Sequence, residues 1–417
     1  MEKALLYVLL FFGALFSVYS LYWGGILVTG GYVLRKENNV ENPSNLSYEN
    51  LPKISVLIPV RNEAKLIGRL LNALNKVNYP EEKLEIIFVE DGSTDGTYEL
   101  LLKCKERDRR IKVIHLEENN KGKPKALNEG LKHATGELIA LLDADCIPEP
   151  DIFLKAANEY RRGKKILVGY FKVVNKKESL IAKLAVFEEI SWRLMGLGRM
   201  KLGLNVPISG SFSFIDRKLL LKAKGWNACL AEDVELGARL LKMGYKGYFL
   251  NGFVWLEVPG KIPILLKQRI RWYRGYMETA IKHIDLLWKV KKKLALDFLL
   301  LLTTPFFAAL TLFSYVLYAL SFHYLTGLLL VLFIAGFIGA NLLGLIALNV
   351  GLMLIAGSET HELMRVSPLV YLYTLILAIS SLIACLQMVL KKKPVWVKTE
   401  KSGWIDSDRM VLSKLLR

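Results

Sequence analysis

Between Ile54 and Leu142 the apolar and polar positions switch repeatedly between two periods. Ile54–Val60, Leu84–Val89, 111–116 and 138–142 are short apolar runs closed by charged or turn residues, the pattern of buried strands. Between them, 64–76, about 95–107 and 125–134 have helical spacing, the second opened by Thr94 or Asp95 as its cap. Repeated strand–helix units predict an α/β fold with a parallel, doubly wound sheet and helices on both faces. In such sheets ligands collect at the carboxyl ends of the strands. After Asp151 the rhythm changes: 180–204 and 261–289 are amphipathic and can lie in a membrane interface or against a core, and a helix is expected over 233–243.

Outside this region the apolar positions become continuous. Residues 4–34 carry no charge, 296–322 hold only Asp297, and 324–357 and 367–390 hold none, so each block is long enough to cross a bilayer as a helix. The first is too long for a signal-peptide apolar region and lacks a small-residue cleavage site, and it reads as an anchor. Arg35, Lys36 and Lys53 after it, and Lys291–Lys293 before the next block, put 35–293 on the cytoplasmic side of the cell membrane. Lys391–Lys393 belong on that side too, which requires an even number of crossings between 294 and 390. As one helix 324–357 would be roughly 50 Å long, against a hydrocarbon core of about 30 Å. Gly336, Gly339 and Asn341 offer a break, and two short spans there give a multi-pass chain of five.

Composition agrees with this division. The 417 residues are 53% hydrophobic and carry a formal net charge of +18. Many of the cations flank the apolar blocks, and the basic segments at 121–125 and 161–165 are accompanied by no finger, basic zipper or single-strand platform, which argues against nucleic acid. Four scattered cysteines (Cys104, Cys146, Cys229, Cys385) have no paired spacing, fitting a reducing compartment and neither a disulfide framework nor a zinc site.

The chemistry begins at the strand ends. Leu-Ile-Ala-Leu-Leu-Asp-Ala-Asp (138–145) closes an apolar strand with Asp143 and Asp145, two hard oxygen ligands one residue apart. They suit a divalent metal held partly by substrate phosphates. Glu63 and Asp91 follow two other predicted strands, so three acidic placements share one sheet edge.

Six short segments, in order, resemble the family-2 inverting glycosyltransferases: Val-Leu-Ile-Pro-Val-Arg-Asn-Glu (56–63), Val-Glu-Asp-Gly-Ser-Thr-Asp-Gly-Thr (89–97), Asn-Lys-Gly-Lys-Pro-Lys-Ala-Leu-Asn (120–128), Asp-Ala-Asp (143–145), Ala-Glu-Asp-Val-Glu (231–235) and Gln-Arg-Ile-Arg-Trp (268–272). The chain is similar to the membrane-embedded processive branch that includes cellulose, chitin, hyaluronan and poly-N-acetylglucosamine synthases, over about residues 50–290. The resemblance implies a GT-A type, Rossmann-like nucleotide-sugar-binding domain with a mostly parallel sheet, inserted between transmembrane helices. It implies that Glu63 and Asp91 hold the nucleoside, that Lys123 sits near the diphosphate with Lys125 assisting, and that Asp145 and Asp143 form a Mg2+ or Mn2+ site. Asp233 takes the part of general base, supported by Glu232; Gln268 and Arg271 approach the diphosphate, and Trp272 lines the acceptor end. Capping of the following helices is the other use open to Glu63, Asp91, Glu232 and Asp233.

The organisation expected is an anchor (1–34), a cytoplasmic catalytic domain (50–260), an interface helix (261–293), a membrane bundle (294–390) and a cytoplasmic tail (391–417) that includes Trp396-Val-Lys398-Thr399. The implied reaction is metal-dependent transfer from a nucleotide sugar, a UDP-sugar by the uracil contacts, to a growing β-linked polysaccharide. The alternative is transfer of one sugar to a membrane lipid, a polyprenyl phosphate or a glycerolipid. Gly225-Trp226 departs from the pattern, standing where similar chains have paired glycines.

Overall fold

The computed structural model describes residues 2–37, 47–116, 122–321 and 360–393. The two short spans placed within 324–357 and the tail around Trp396 lie outside these residues.

The chain opens with one continuous helix, α1 (Glu2–Glu37). Strand β1 (Ile54–Val60), helix α2 (Ala64–Leu74), strand β2 (Leu84–Glu90), helix α3 (Thr97–Arg107), strand β3 (Ile111–His115), helix α4 (Lys123–His133) and strand β4 (Leu138–Leu142) then alternate. Next come β5 (Ile147–Pro148), α5 (Ile152–Arg161), β6 (Ile166–Val173), α6 (Leu180–Lys201), β7 (Phe212–Asp216), α7 (Arg217–Lys222), α8 (Glu232–Lys242) and β8 (Tyr248–Leu256). Helices α9 (Ile262–Lys282), α10 (Leu286–Lys289), α11 (Lys292–Ser321), α12 (Thr360–Val366) and α13 (Val370–Val389) complete the described chain.

The eight strands form one sheet in the order β3-β2-β1-β4-β7-β6-β8-β5. Strands β3, β2, β1 and β4 are parallel, with Ile54 opposite both Leu84 and Leu138. The chain runs outward from β1 to β2 and β3, then crosses back through α4 to β4 on the other side of β1. That reversal opens a crevice at the carboxyl ends of β1 and β4, as topological switch points do.

The parallel pairing expected from the strand–helix rhythm holds through β4, and β6 and β8 are parallel again. β7 is antiparallel to β4 and β6, and β5 is antiparallel to β8. The reason lies in the route into β7. The segment after α6 returns to the crevice, where Asp143 N–H donates to Ser211 C=O at 3.3 Å. The chain must therefore leave the crevice along β7, opposite in direction to β4.

Alternation along the strands divides the apolar side chains between two cores, because successive residues face opposite sides of the sheet. Val56, Ile58, Ile86, Phe88, Ala140 and Leu142 pack with α2, α3 and α5 on one face. Leu57, Ile87, Val89, Ile139 and Leu141 pack with α4, α7 and α8 on the other. Each fully buried Leu, Ile or Phe contributes about 1.5–3 kcal/mol, so the sheet is the rigid frame on which the strand-end carboxylates are carried.

Helix α1 lies tightly across α6. A Cβ on Gly30 would meet the Leu194 carbonyl oxygen at 2.0 Å, and one on Gly198 would meet that of Ile26 at 2.1 Å. Asp297, the one acid in its apolar block, is buried and receives Arg199 Nη1 at 2.6 Å, with the Tyr22 hydroxyl as a second donor. A charged group in so apolar a helix persists only when paired. Among the described residues, Lys292–Phe313 and Leu363–Val389 are helical, long and apolar enough to cross a membrane.

Candidate active site

The Glu63, Asp91, Asp143 and Asp145 carboxylates stand where β1, β2 and β4 end. Asn62, with φ of 54°, reverses the chain after β1 and accepts a hydrogen bond from Thr94 N–H at 2.8 Å. Glu63 occupies the N-cap position of α2 yet makes no side-chain capping bond to that helix. Asp95 takes that work: its carboxylate accepts from Ala64 N–H at 3.1 Å and from Thr97 N–H at 3.1 Å, joining the starts of α2 and α3. Helix α3 begins at Thr97 after Gly96, two residues later than the sequence pattern predicts, because Asp95 is drawn to both helices rather than capping one.

Asp91 is buried and accepts Gly122 N–H at 2.9 Å, which ties β2 to the loop before α4. One residue on, Lys123 reaches across to Asp143 with Nζ 2.6 Å from Oδ1. Burial works against the Lys123 charge, but Asp143, Glu232 and Asp233 outweigh it and hold the ammonium above its ordinary range. The other oxygen of Asp143 accepts the Ser211 hydroxyl at 2.6 Å.

On the opposite wall, α8 starts with Glu232 and Asp233, as acids at a helix N-terminus should. Asp233 is oriented by two backbone donors, Gly210 N–H to Oδ2 at 2.6 Å and Val234 N–H to Oδ1 at 2.8 Å. A Cβ at position 210 would lie 3.2 Å from the same Oδ2 and 3.3 Å from Glu232 Oε1, so a larger residue would press on both carboxylates. Glu232 is buried, and burial together with the neighbouring Asp233 charge pushes its carboxyl up.

Helix α9 supplies the third wall. Gln268, Arg271 and Trp272 face inward together. Arg269 is 2% exposed and fixes two of them: its Nη1 donates to Gln268 Oε1 at 2.5 Å, and its guanidinium lies 4.1 Å from the centre of the Trp272 ring. Its Nη2 donates to Glu188 on α6 at 2.8 Å. Burial draws Arg271 below the usual guanidinium range against the pull of Glu232, Asp233 and Asp143.

One cavity of about 340 Å³ is lined by Glu63, Asp91, Lys123, Asp143, Asp145, Glu232, Asp233, Gln268, Arg271 and Trp272. All the site residues singled out from the sequence except Lys125 therefore reach the same space; Lys125 points away on the exposed side of α4. Cations (Lys123, Arg271) face carboxylates across it, a setting suited to a ligand that brings its own negative charge and oxygen ligands.

Among the described residues no three ligating His, Cys, Asp or Glu side chains cluster into a ready-made metal cage. The donors are hard carboxylate oxygens, which fits Mg2+ or Mn2+ bound through one or two carboxylates and completed by phosphate oxygens. Both oxygens of Asp143 already accept hydrogen bonds from Lys123 and Ser211.

Among the wall residues that escaped the sequence reading are Glu189, Trp192 and Arg199 on α6 and Tyr276 on α9. Tyr276 was within reach, since 268, 272 and 276 follow at four-residue steps on one helix face. Nothing in the local pattern distinguishes the α6 residues from an ordinary amphipathic stripe. The Gly225-Trp226 departure is structural. Trp226 is 2% exposed in the core beneath α4 and α8, with Asn128 clamping its backbone N–H at 2.8 Å and its C=O at 2.7 Å.

Residues 55–222 match the family described as Glycosyl transferase family 2. "Probable glycosyltransferase YdaM" of Bacillus subtilis is 34% identical over 254 residues, 59% of this chain and 60% of that protein. A poly-beta-1,6-N-acetyl-D-glucosamine synthase of Staphylococcus epidermidis is 28% identical over 280 residues, 66% of each chain. The matched segments thus span 60% and 66% of these relatives' own lengths. A solved mannosyltransferase of Pyrobaculum calidifontis, in complex with GDP-Man and Mn2+, superposes with a TM-score of 0.62 at 18% identity over 92% of this chain and 100% of that one. At that identity the likeness shows the fold, a GT-A-like α/β domain with a mostly parallel sheet.

Proposed function

We propose that this protein, whose residues 55–222 match the family described as Glycosyl transferase family 2, is a membrane-bound inverting transferase. It moves a sugar from a nucleotide sugar, a UDP-sugar, to the hydroxyl of a growing β-linked polysaccharide. The observation that carries the reading is the meeting, in one cavity, of Asp233 on two backbone N–H groups and the strand-end set Glu63, Asp91, Lys123 and Asp145.

In this reading Glu63 and Asp91 accept hydrogen bonds from the nucleoside, and Lys123, Gln268 and Arg271 hold the diphosphate. Asp145 would hold the divalent ion, and Asp143, already braced by Lys123 and Ser211, would orient the ribose or help hold the ion. A bound Mg2+ or Mn2+ supplies positive charge against which the nucleoside diphosphate leaves. Asp233 accepts the proton of the acceptor hydroxyl, whose oxygen forms a bond to the anomeric carbon from the face opposite the diphosphate. The anomeric carbon–phosphate oxygen bond breaks, the nucleoside diphosphate departs with the electron pair, and an α-linked donor gives a β-linked product. Gly210 and Val234 N–H keep the Asp233 carboxylate aimed while Glu232, pushed toward its neutral form, spares it a second full charge alongside. Trp272, held by Arg269, presents its ring to the acceptor sugar.

The apolar helices α1, α11 and α13, with the cationic residues at 35–36 and 291–293, support a multi-pass cell-membrane protein with its catalytic domain on the cytoplasmic face. The bilayer, the donor and the saccharide acceptor are then its partners. UDP-N-acetylglucosamine is the first donor to try, since a relative is named for a polymer of that sugar. Full-length protein with a panel of radiolabelled nucleotide sugars and either Mg2+ or Mn2+ should yield a ladder of labelled saccharide. A single-sugar lipid as the sole product would overturn the polymer assignment.

A further inference from the structure

The cavity continues beyond the donor end to α6, where Glu189, Trp192, Gly196 and Arg199 line it. Steps of three, four and three residues put all four on one helix face. The carboxylate next door, Glu188, takes the available cation: it receives Arg269 at 2.8 Å and the Tyr373 hydroxyl at 2.7 Å, which locks α6 against α9 and α13. Glu189 is left with its Oε2 sealed from solvent and without a hydrogen-bond partner. Buried carboxylate oxygens in folded proteins are normally satisfied, and one that is not, at the wall of a cavity, is explained by a ligand group that completes it. Burial, with the Glu188 charge adding to it and Arg269 opposing, pushes the Glu189 carboxyl up to about 8. In its protonated form it offers one O–H donor and an acceptor oxygen, the complement of a sugar hydroxyl. Three residues on, the Trp192 indole offers a flat apolar face for the C–H side of a pyranose, with a polar N–H at its edge.

The charge of this wall selects among ligands. Arg199 is matched by Asp297 at 2.6 Å and also donates to Asn205 C=O at 3.0 Å. Its charge is thus matched within the protein, so the α6 wall favours a neutral, hydroxyl-rich occupant over an anionic one.

We propose that Glu189 and Trp192 form an acceptor subsite that holds a pyranose ring of the elongating saccharide, stacked on the indole and hydrogen-bonded to the carboxyl. This rests on the transferase reading above and adds a pair of positioning residues that act on the acceptor alone. The test uses full-length protein in detergent micelles with UDP-N-acetylglucosamine and short β-linked N-acetylglucosamine oligomers. Glu189→Ala and Trp192→Ala should each raise the acceptor KM tenfold or more. Glu189→Gln, which keeps a neutral donor and acceptor, should stay within threefold of wild type. The KM for the nucleotide sugar and its acceptor-free hydrolysis should stay within twofold in all three. An unchanged acceptor KM in Glu189→Ala would overturn the subsite. So would loss of hydrolysis together with transfer in both Glu189 variants, which marks a structural role. Wild-type protein that neither hydrolyses nor transfers from any nucleotide sugar would instead sink the transferase reading itself.

Discussion

Lys123 Nζ lies 2.6 Å from Asp143 Oδ1, joining the first turn of α4 to the end of β4 across the mouth of the crevice. The pair holds a cation at the crevice in advance of any ligand, and on the proposed reading its removal leaves both the diphosphate and Asp143 without their charge partner. Lys123→Met should raise the nucleotide-sugar KM by about 10- to 100-fold, the range of one charge-assisted hydrogen bond of about 1.5–3 kcal/mol. Steady-state kinetics at varied donor and fixed acceptor would check it, and an unchanged KM would remove Lys123 from the donor site.

Chelation addresses Asp145. With EDTA, transfer should fall at least 100-fold and return on adding Mn2+ or Mg2+. Asp145→Asn should need several-fold more metal for half-activation, read from titrations of activity against Mn2+. Full activity in EDTA would mean that the cavity works with its own cationic side chains, Lys123 and Arg271 among them, and without a metal.

Glu85 makes a prediction about stability and pH. It is buried near the start of β2 and accepts hydrogen bonds from Lys112 at 2.8 Å, Thr135 N–H at 2.6 Å and the Ser55 hydroxyl. Burial alone would raise its pKa, but these donors prevail and hold it at about 2 rather than 4.5. A depressed carboxylate stabilises the fold above its ordinary pKa, and the contribution is lost as pH falls from about 4.5 toward 2. Thermal melts of wild type and Glu85→Gln should therefore differ most near neutral pH and converge as pH drops through that window. A gap that widened toward acid would contradict this account.

Trp226 gives a test of the fold. Its indole fills the core between β4, α4 and α8, so Trp226→Ala should cost about 3–5 kcal/mol and lower the melting temperature without changing the donor KM of the remaining folded protein.

The parallel half of the sheet was legible because each of its strands is an apolar run ending in a charge or turn residue, and β1 and β4 span the residues expected. The antiparallel β7 and β5 were not, since strand direction depends on where the preceding segment returns to the sheet, and a five-residue apolar run such as 212–216 carries no direction. At the site, the acids at strand ends stand out in sequence because each follows a short apolar run. Glu189 does not: on α6 it looks like any solvated position of an amphipathic helix, and only the packing of α9 and α13 against Glu188 reveals that its neighbour is enclosed. The place of Gly225-Trp226 was not legible either, since a departure from a motif does not say whether the new side chain faces the cavity or, as here, fills the core.

The central claim is that Asp233, held by Gly210 and Val234 N–H, removes the acceptor proton. Asp233→Asn keeps the shape and both backbone contacts in reach but cannot take a proton at neutral pH. The decisive measurement is saccharide formation from a radiolabelled nucleotide sugar by this variant, alongside its affinity for the free nucleoside diphosphate. The account predicts transfer at least 1,000-fold below wild type, on the order of the share general-base catalysis supplies, with nucleotide affinity unchanged within threefold. Transfer within tenfold of wild type would show that another group is the base.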